Sequence, residues 1–274
     1  MLNLAKSFPV ETKKWTDNMT SEPLKLKQHI IYGPVNSRRL GSSLGVNILP
    51  IRYKACPFNC RYCQYGFTGA KGHVVDIDRN EFPSPPEILL ALDKAYEDYP
   101  SVAYITFSGN GEPTLHPEFP HIVEKVKEWK NSHNPEIKLA ILSNSALVYK
   151  EGVRRGLTLL DERFMKLDAG DESTFLRFNR PHSDIKFDMI IEGLKGLDDI
   201  VIQALFAGGD DGNSGDYAVD RWIDMIGEIR PKECHIYSLD RPSADRTLAK
   251  VDIEGLTKIK QKTERRAEVR VRVF

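Results

Sequence analysis

The chain of 274 residues fits one large domain or two small ones and can bury a sizeable core. Its 39 basic residues balance 39 acidic ones, so the sequence gives no global electrostatic case for nucleic acid, an anionic membrane or a polyacidic partner. Neither a signal-peptide h-region nor an apolar run long enough to span a membrane stands out, and the chain reads as cytoplasmic, with no membrane partner.

In chain order, residues 1–28 read as an extension without a clear pattern. β-type apolar runs follow at 45–51, 102–107, 137–142, 163–167, 200–206 and 233–238. Helical spacing occupies 86–99, where Ile88, Leu89, Leu92, Ala95 and Tyr96 share a face, and recurs at 121–129 and 185–197. Strands alternating with helices predict parallel βα units. Six such units fit an α/β fold of the partial (β/α)6 TIM-like barrel type over 29–250, with residues 251–274 adding a helix and a short strand that pack on it. The glycine-rich stretch 207–215 reads as a flexible loop able to cover a site. In such architectures chemistry gathers at the carboxyl ends of the strands. The cysteine loop, the Gly109–Glu112 turn, Ser143-Asn144, Asp168, the 206–209 segment and the 239–241 segment all fall there.

Three of the four cysteines stand within eight residues, as Cys56-Pro-Phe-Asn-Cys60-Arg-Tyr-Cys63. Thiolates so close can converge on one inorganic object, and in a reducing compartment metal or redox chemistry is favoured over disulfides. A [4Fe-4S] cube held by three cysteines leaves one iron free to chelate a small molecule. The alternative is a zinc site completed by His73 or Cys234, although structural zinc usually pairs a Cys-x2-Cys knuckle with a second knuckle or a His pair. Cys234, alone in a strand, reads as a small buried hydrophobe.

The spacing Cys-x3-Cys-x-aromatic-Cys, with Tyr62 in the aromatic place, resembles the hallmark of the radical S-adenosylmethionine (SAM) enzymes. Ser108-Gly109-Asn110-Gly111-Glu112-Pro113, just after a strand-like run, is similar to that family's Gly-Gly-Glu motif. Tyr32-Gly33-Pro34-Val35-Asn36-Ser37-Arg38-Arg39-Leu40-Gly41 and Ser238-Leu239-Asp240-Arg241-Pro242 resemble an Fe-S oxidoreductase group related to archaeal wybutosine synthases. The likeness covers roughly residues 28–250. It implies a radical SAM barrel, a [4Fe-4S] cluster on Cys56, Cys60 and Cys63, and SAM chelated to the fourth iron. It also implies an electron donor such as flavodoxin or ferredoxin, and a substrate that is a small molecule, a peptide or RNA. Wybutosine synthases carry further cysteines upstream, and none precedes Cys56 here, which removes the main argument for the same tRNA reaction. A non-enzymatic iron–sulfur or zinc protein is the competing class; an electron carrier normally needs four protein ligands per cluster.

The remaining candidates follow from strand-end positions. Gly109, Asn110 and Gly111 can bring backbone close to the SAM ammonium because glycine lacks a Cβ, and Glu112 adds a carboxylate there or caps a turn. Ser143, Asn144 and Asp168 suit ribose hydroxyls, Lys166 suits the SAM carboxylate, and Tyr62 and Tyr237 suit the adenine. Gln203, polar within an apolar strand, must find a partner or face the cavity. Arg38, Arg39 and Arg241 offer forks for a substrate carboxylate or phosphate, or pair with acids such as Asp240.

Overall fold

The computed structural model describes residues 24–37, 40–68, 77–241 and 243–274. An eight-stranded sheet runs in the order β1 (Ile31–Ser37), β2 (Gly41–Val46), β3 (Tyr104–Phe107), β4 (Lys138–Ser143), β5 (Glu162–Lys166), β6 (Ile200–Leu205), β8 (Glu233–Tyr237) and β10 (Val271–Val273). Only the β1–β2 pair is antiparallel; β2 to β10 run parallel. The edge strands β1 and β10 do not pair, so the sheet stays open, and its six βα units have the order of a partial TIM-type barrel. β7 (Ala207–Gly208) and β9 (Ala249–Lys250) pair separately as a two-residue antiparallel ladder.

Helices α1 (Pro85–Asp98), α2 (Phe119–His133), α3 (Glu151–Thr158), α4 (Glu172–Phe178), α5 (Phe187–Lys195), α6 (Asp216–Ile229) and α7 (Ile253–Ala267) connect the strands. Local chemistry fixes their starts. Ser84 and Glu87 form a capping box at α1, and Asp171 accepts from the Thr174 N–H at α4. Ile88 and Leu92 of α1, and Ile122, Val123 and Val126 of α2, then face the sheet in the main core. Among the described residues no helix is long and apolar enough to cross a membrane.

The helix-free face carries a second cluster, Ala140, Phe164 and Val201, joined by Leu40 and Tyr104. Strand parity puts Lys166, Gln203 and His235 on that same face, as register partners on β5, β6 and β8. Leu142, also on this face, is 38% exposed although it lies in a central strand. The lumen is therefore open.

Three sequence expectations change. The first barrel strand is Gly41–Val46 rather than 45–51, because the chain leaves the sheet at Asn47, whose side-chain amide donates to the Leu49 carbonyl. An antiparallel strand, β1, precedes it and adds an edge to the six-unit pattern. Stretch 207–215 is not a loose flap. Asn213 is buried and donates to the carbonyls of Asp168 and Leu205, while its Oδ1 accepts the Ala207 N–H.

Candidate active site

The cysteine loop follows β2 and is laced on both sides by backbone. On one side Ala55 N–H donates to the Asn110 carbonyl at 2.8 Å, and Glu112 N–H donates to the Ala55 carbonyl at 2.9 Å. This parallel bridge explains the glycines. At Gly111 (φ +145°) a Cβ would stand 1.7 Å from the Ala55 carbonyl oxygen, and at Gly109 (φ +139°) 2.4 Å from Asn47 Oδ1. The close approach that glycine permits is thus between two parts of the chain. On the other side Asn59 N–H reaches the carbonyls of Asn179 and Arg180, Arg61 N–H that of Phe178, and His182 N–H that of Pro57.

Cys56 and Cys60 are buried, Cys63 is half-buried, and all are free thiols. Two of them meet amide donors, Asn144 Nδ2 at 3.4 Å from Cys56 Sγ and Asn179 Nδ2 at 3.4 Å from Cys60 Sγ, while the Lys54 ammonium, held by the Gly66 carbonyl at 3.1 Å, sets its charge against all three. Burial pushes the Cys56 thiol up to about 12 against the pull of Lys54; burial and the Asp168 charge push Cys60 up to about 11. Among the described residues no group of three His, Cys, Asp or Glu side chains is gathered as around a single metal ion. Cys234 is fully buried in β8 between Ile202 and Val271, and His73 lies outside the described residues, so neither is seen to complete a zinc tetrahedron. Three thiols on one braced loop, with donors to the sulfurs, fit a cube that takes each thiolate on a separate iron.

Glu112, at the turn after β3, is fully buried and braces the strand ends. Its Oε1 accepts from Thr114 N–H, Thr114 Oγ1 and Ser143 Oγ, and its Oε2 from Asn144 N–H at 2.5 Å. Burial outweighs these four donors and holds its carboxyl above the usual range. Ser143 also accepts the Ser145 N–H. Asn110 is fully buried too. Its Nδ2 donates to the carbonyls of Lys27 and Pro50 and its Oδ1 accepts Lys27 N–H, so the side chain straps residue 27 to the turn.

Across the site, Asp168 gathers four donors: Lys166 Nζ at 3.0 Å, Tyr62 OH at 2.5 Å, Asn179 Nδ2 at 2.8 Å and Leu205 N–H at 2.9 Å. Lys166 also donates to Tyr237 OH at 2.9 Å, and its ammonium lies 4.8 Å and 5.0 Å from the ring centres of Tyr62 and Tyr237. Burial opposes the Lys166 charge, but Asp168 and Tyr237 hold its pKa above the usual value. Burial and Asp168 together raise the Tyr62 phenol well above its own. A small cavity of about 10 Å³, partly open to solvent, is lined here by Phe58, Tyr62, Asn144, Lys166, Asp168 and Asn179, among others.

The structure therefore brings Cys56, Cys60, Cys63, Tyr62, Asn144, Lys166, Asp168 and Tyr237 together, with Gly109 to Glu112 and Ser143 bracing them. Gln203 sits one strand from Lys166, buried, with no hydrogen-bond partner for Nε2 among the described residues. Arg241 stands beside the cysteine-loop Tyr65, where it opposes the rise that burial imposes on that phenol. Asp240 takes Lys250 at 3.5 Å. Arg38 and Arg39 lie outside the described residues. Sequence reasoning missed Asn179, at the end of α4, and Arg61, inside the cysteine motif.

Residues 51–203 match the family model for the radical SAM superfamily. The chain is 31% identical to UPF0026 protein MJ1312 of Methanocaldococcus jannaschii over 84% of its own length and 70% of that protein's. It is 29% identical to a protein of Brachyspira hyodysenteriae named GTPase Obg, spanning 94% of this chain but only 38% of that one. Among solved structures, a radical SAM methyltransferase from Sphaerobacter thermophilus superposes with a TM-score of 0.59 at 11% identity, over 85% of this chain and 66% of that one. TYW1 with a lysine-pyruvate adduct gives 0.58 at 13% identity, over 81% and 73%. These structural likenesses concern the fold alone.

The site and the family match together define a class of enzyme that works with a [4Fe-4S] cluster and SAM. The chain belongs to the radical SAM superfamily.

Proposed function

We propose that this chain reductively cleaves SAM and directs the resulting radical at a substrate within the open lumen of the barrel. The observation that carries the reading is the set of three thiols on one loop, two of them facing amide donors and all three close to the Lys54 charge, in a chain of the radical SAM superfamily. When bound, cluster and SAM supply one-electron cleavage of the sulfonium carbon–sulfur bond, giving methionine and a 5′-deoxyadenosyl radical.

In this reading Cys56, Cys60 and Cys63 are the three protein ligands. Asn144 and Asn179 aim N–H groups at two of the sulfurs and Lys54 adds a positive charge beside them, which would tune the charge the cluster carries. The 109–111 backbone faces the SAM ammonium. An ammonium has three donors, and Lys166 spends one on Asp168 and one on Tyr237, leaving one for the SAM carboxylate. Tyr62 and Tyr237 would flank the adenine, and Asn144 and Asp168 would face the ribose. Ser143, Asn110 and Glu112 act by bracing the strand ends. Gln203 and Arg241 fall to the substrate side. An electron donor of low potential is the required partner.

The test is anaerobic reconstitution, iron counting and detection of 5′-deoxyadenosine after reduction with dithionite in the presence of SAM. Wild type should hold about four irons per chain, the content of a [4Fe-4S] cube, and release 5′-deoxyadenosine. Alanine at Cys56, Cys60 or Cys63 should abolish both, and Cys234→Ala should keep both. Iron retained without Cys60, or lost without Cys234, would refute the ligand assignment.

A further inference from the structure

Arg61 lies inside the cysteine motif, between Cys60 and Tyr62, yet its side chain leaves the thiols. Its three guanidinium nitrogens go to three different segments. Nε donates to the Arg177 carbonyl at 2.9 Å, in the last turn of α4. Nη2 pairs with Asp211 at 3.0 Å, in the turn after β7. Nη1 pairs with Asp245 at 2.5 Å, in the segment before β9. The backbone doubles the last link, since Asp245 N–H donates to the Arg61 carbonyl at 2.8 Å. Arg177 repeats the pattern by donating to the Gly212 carbonyl at 3.1 Å.

The two acidic segments form one side of the barrel mouth. They are tied to each other by the β7–β9 ladder, and Asn213 ties the first to the Asp168 carbonyl. Arg61 is only 21% exposed, so its contacts are partly shielded from solvent. A lysine ammonium also has three donors, but they sit on one atom and cannot span the separated positions that the planar fork reaches.

We infer that Arg61 is a positioning residue that couples occupancy of the SAM site to the local stability of the mouth segments 209–213 and 243–248. The inference rests on the proposed SAM site. Anything that settles the loop around Cys60, Tyr62 and Cys63 settles the mouth segments through one side chain. Because coupling is reciprocal, a substrate that orders those segments would tighten SAM by the same factor.

Hydrogen exchange of cluster-loaded protein, with and without SAM and without reductant, reads this directly. In wild type SAM should slow exchange in both segments about tenfold, within the usual range of coupling between sites. In Arg61→Ala the slowing should fall below about twofold while iron content is kept, and Arg61→Lys should lie between. The double variant Asp211→Ala with Asp245→Ala leaves the cysteine motif intact and should behave as Arg61→Ala does. Undiminished SAM-dependent slowing in Arg61→Ala or in the double variant would overturn the coupling. So would loss of iron in Arg61→Ala alongside full slowing in the double variant, which would reduce Arg61 to a support of the cysteine loop. Failure of wild type to bind SAM would instead refute the site itself, a distinct result.

Discussion

On the β2–β4 flank of the site the cysteine loop meets the Gly109–Glu112 turn through backbone, at the Ala55–Gly111 bridge, with the buried Asn110 and Glu112 side chains bracing the turn behind it. On the β5–β8 flank the chain is held by side chains, with Asp168 receiving Lys166, Tyr62 and Asn179 and Lys166 reaching on to Tyr237. The first flank has no room for an added atom. The second can rearrange, because long side chains rotate where a bridged backbone cannot. Its sensitivity is to lost charge rather than to added volume.

The comparison breaks most sharply at Gly111. Gly111→Val places a Cβ against the Ala55 carbonyl oxygen at a φ that L-residues avoid, so overpacking and backbone strain add to about 4 kcal/mol of destabilisation. Denaturant titration should show it; a change under about 1 kcal/mol would mean the backbone flank yields. Asp168→Ala should come next, at about 3 kcal/mol, because it strands Lys166 and three other donors. The figure sits at the low end for a broken pair since the Lys166 side chain keeps 18% exposure. Pairing Asp168→Asn with Lys166→Met should recover part of the loss, and no recovery would deny the charge-based character of this flank.

Glu112→Gln should cost about 2 kcal/mol, because each carboxylate oxygen takes a backbone N–H and an amide can satisfy only one of them. Glu112 also gives a pH signature. Its folded pKa is raised above the ordinary value of about 4.5, so its stabilisation is complete below that value and is lost as pH rises through the folded one. The glutamine variant should lack that slope in stability measured against pH. Tyr237→Phe is the smallest change, about 1 kcal/mol for one hydrogen bond to Lys166. A larger loss would move Tyr237 from the edge of the network to its centre.

Much of the architecture was legible because β3, β4, β5, β6 and β8 are short apolar runs bounded by turn residues. The β1–β2 pair was less so. Ser42, Ser43 and Gly45 lack the apolar signature, and Gly45 is needed because the Tyr32 ring lies where its Cβ would be. The run from Ile48 to Ile51 looked more strand-like and is loop. α3, α4 and α6 were not singled out, although Trp222, Ile223 and Ile226 of α6 are buried at helical spacing. At the site, residues at strand ends were legible, as parallel βα topology places them. Asn179 and Arg61 were not, since one serves from a helix end and the other reaches away from its motif. Gly109 and Gly111 stand at the turn after β3 that the strand pattern implies, but the chain–chain contacts that require them appear only in three dimensions.

Trp222 has a consequence of a different kind. Its indole is fully buried on α6, lies edge-on to Phe206 with ring centres 5.2 Å apart, and donates its N–H at 2.8 Å to the carbonyl of Leu167, the residue before Asp168. Gly170 lets the helix come this near, for a Cβ there would stand 2.0 Å from the Arg221 backbone. The protein thus carries an optical gauge next to its own chemistry: emission from a dry, fixed indole whose one polar contact is the end of β5. A bound chromophore absorbing in the near ultraviolet would quench that light, so loading and loss of a cluster should be readable from fluorescence alone, without a label and without turnover.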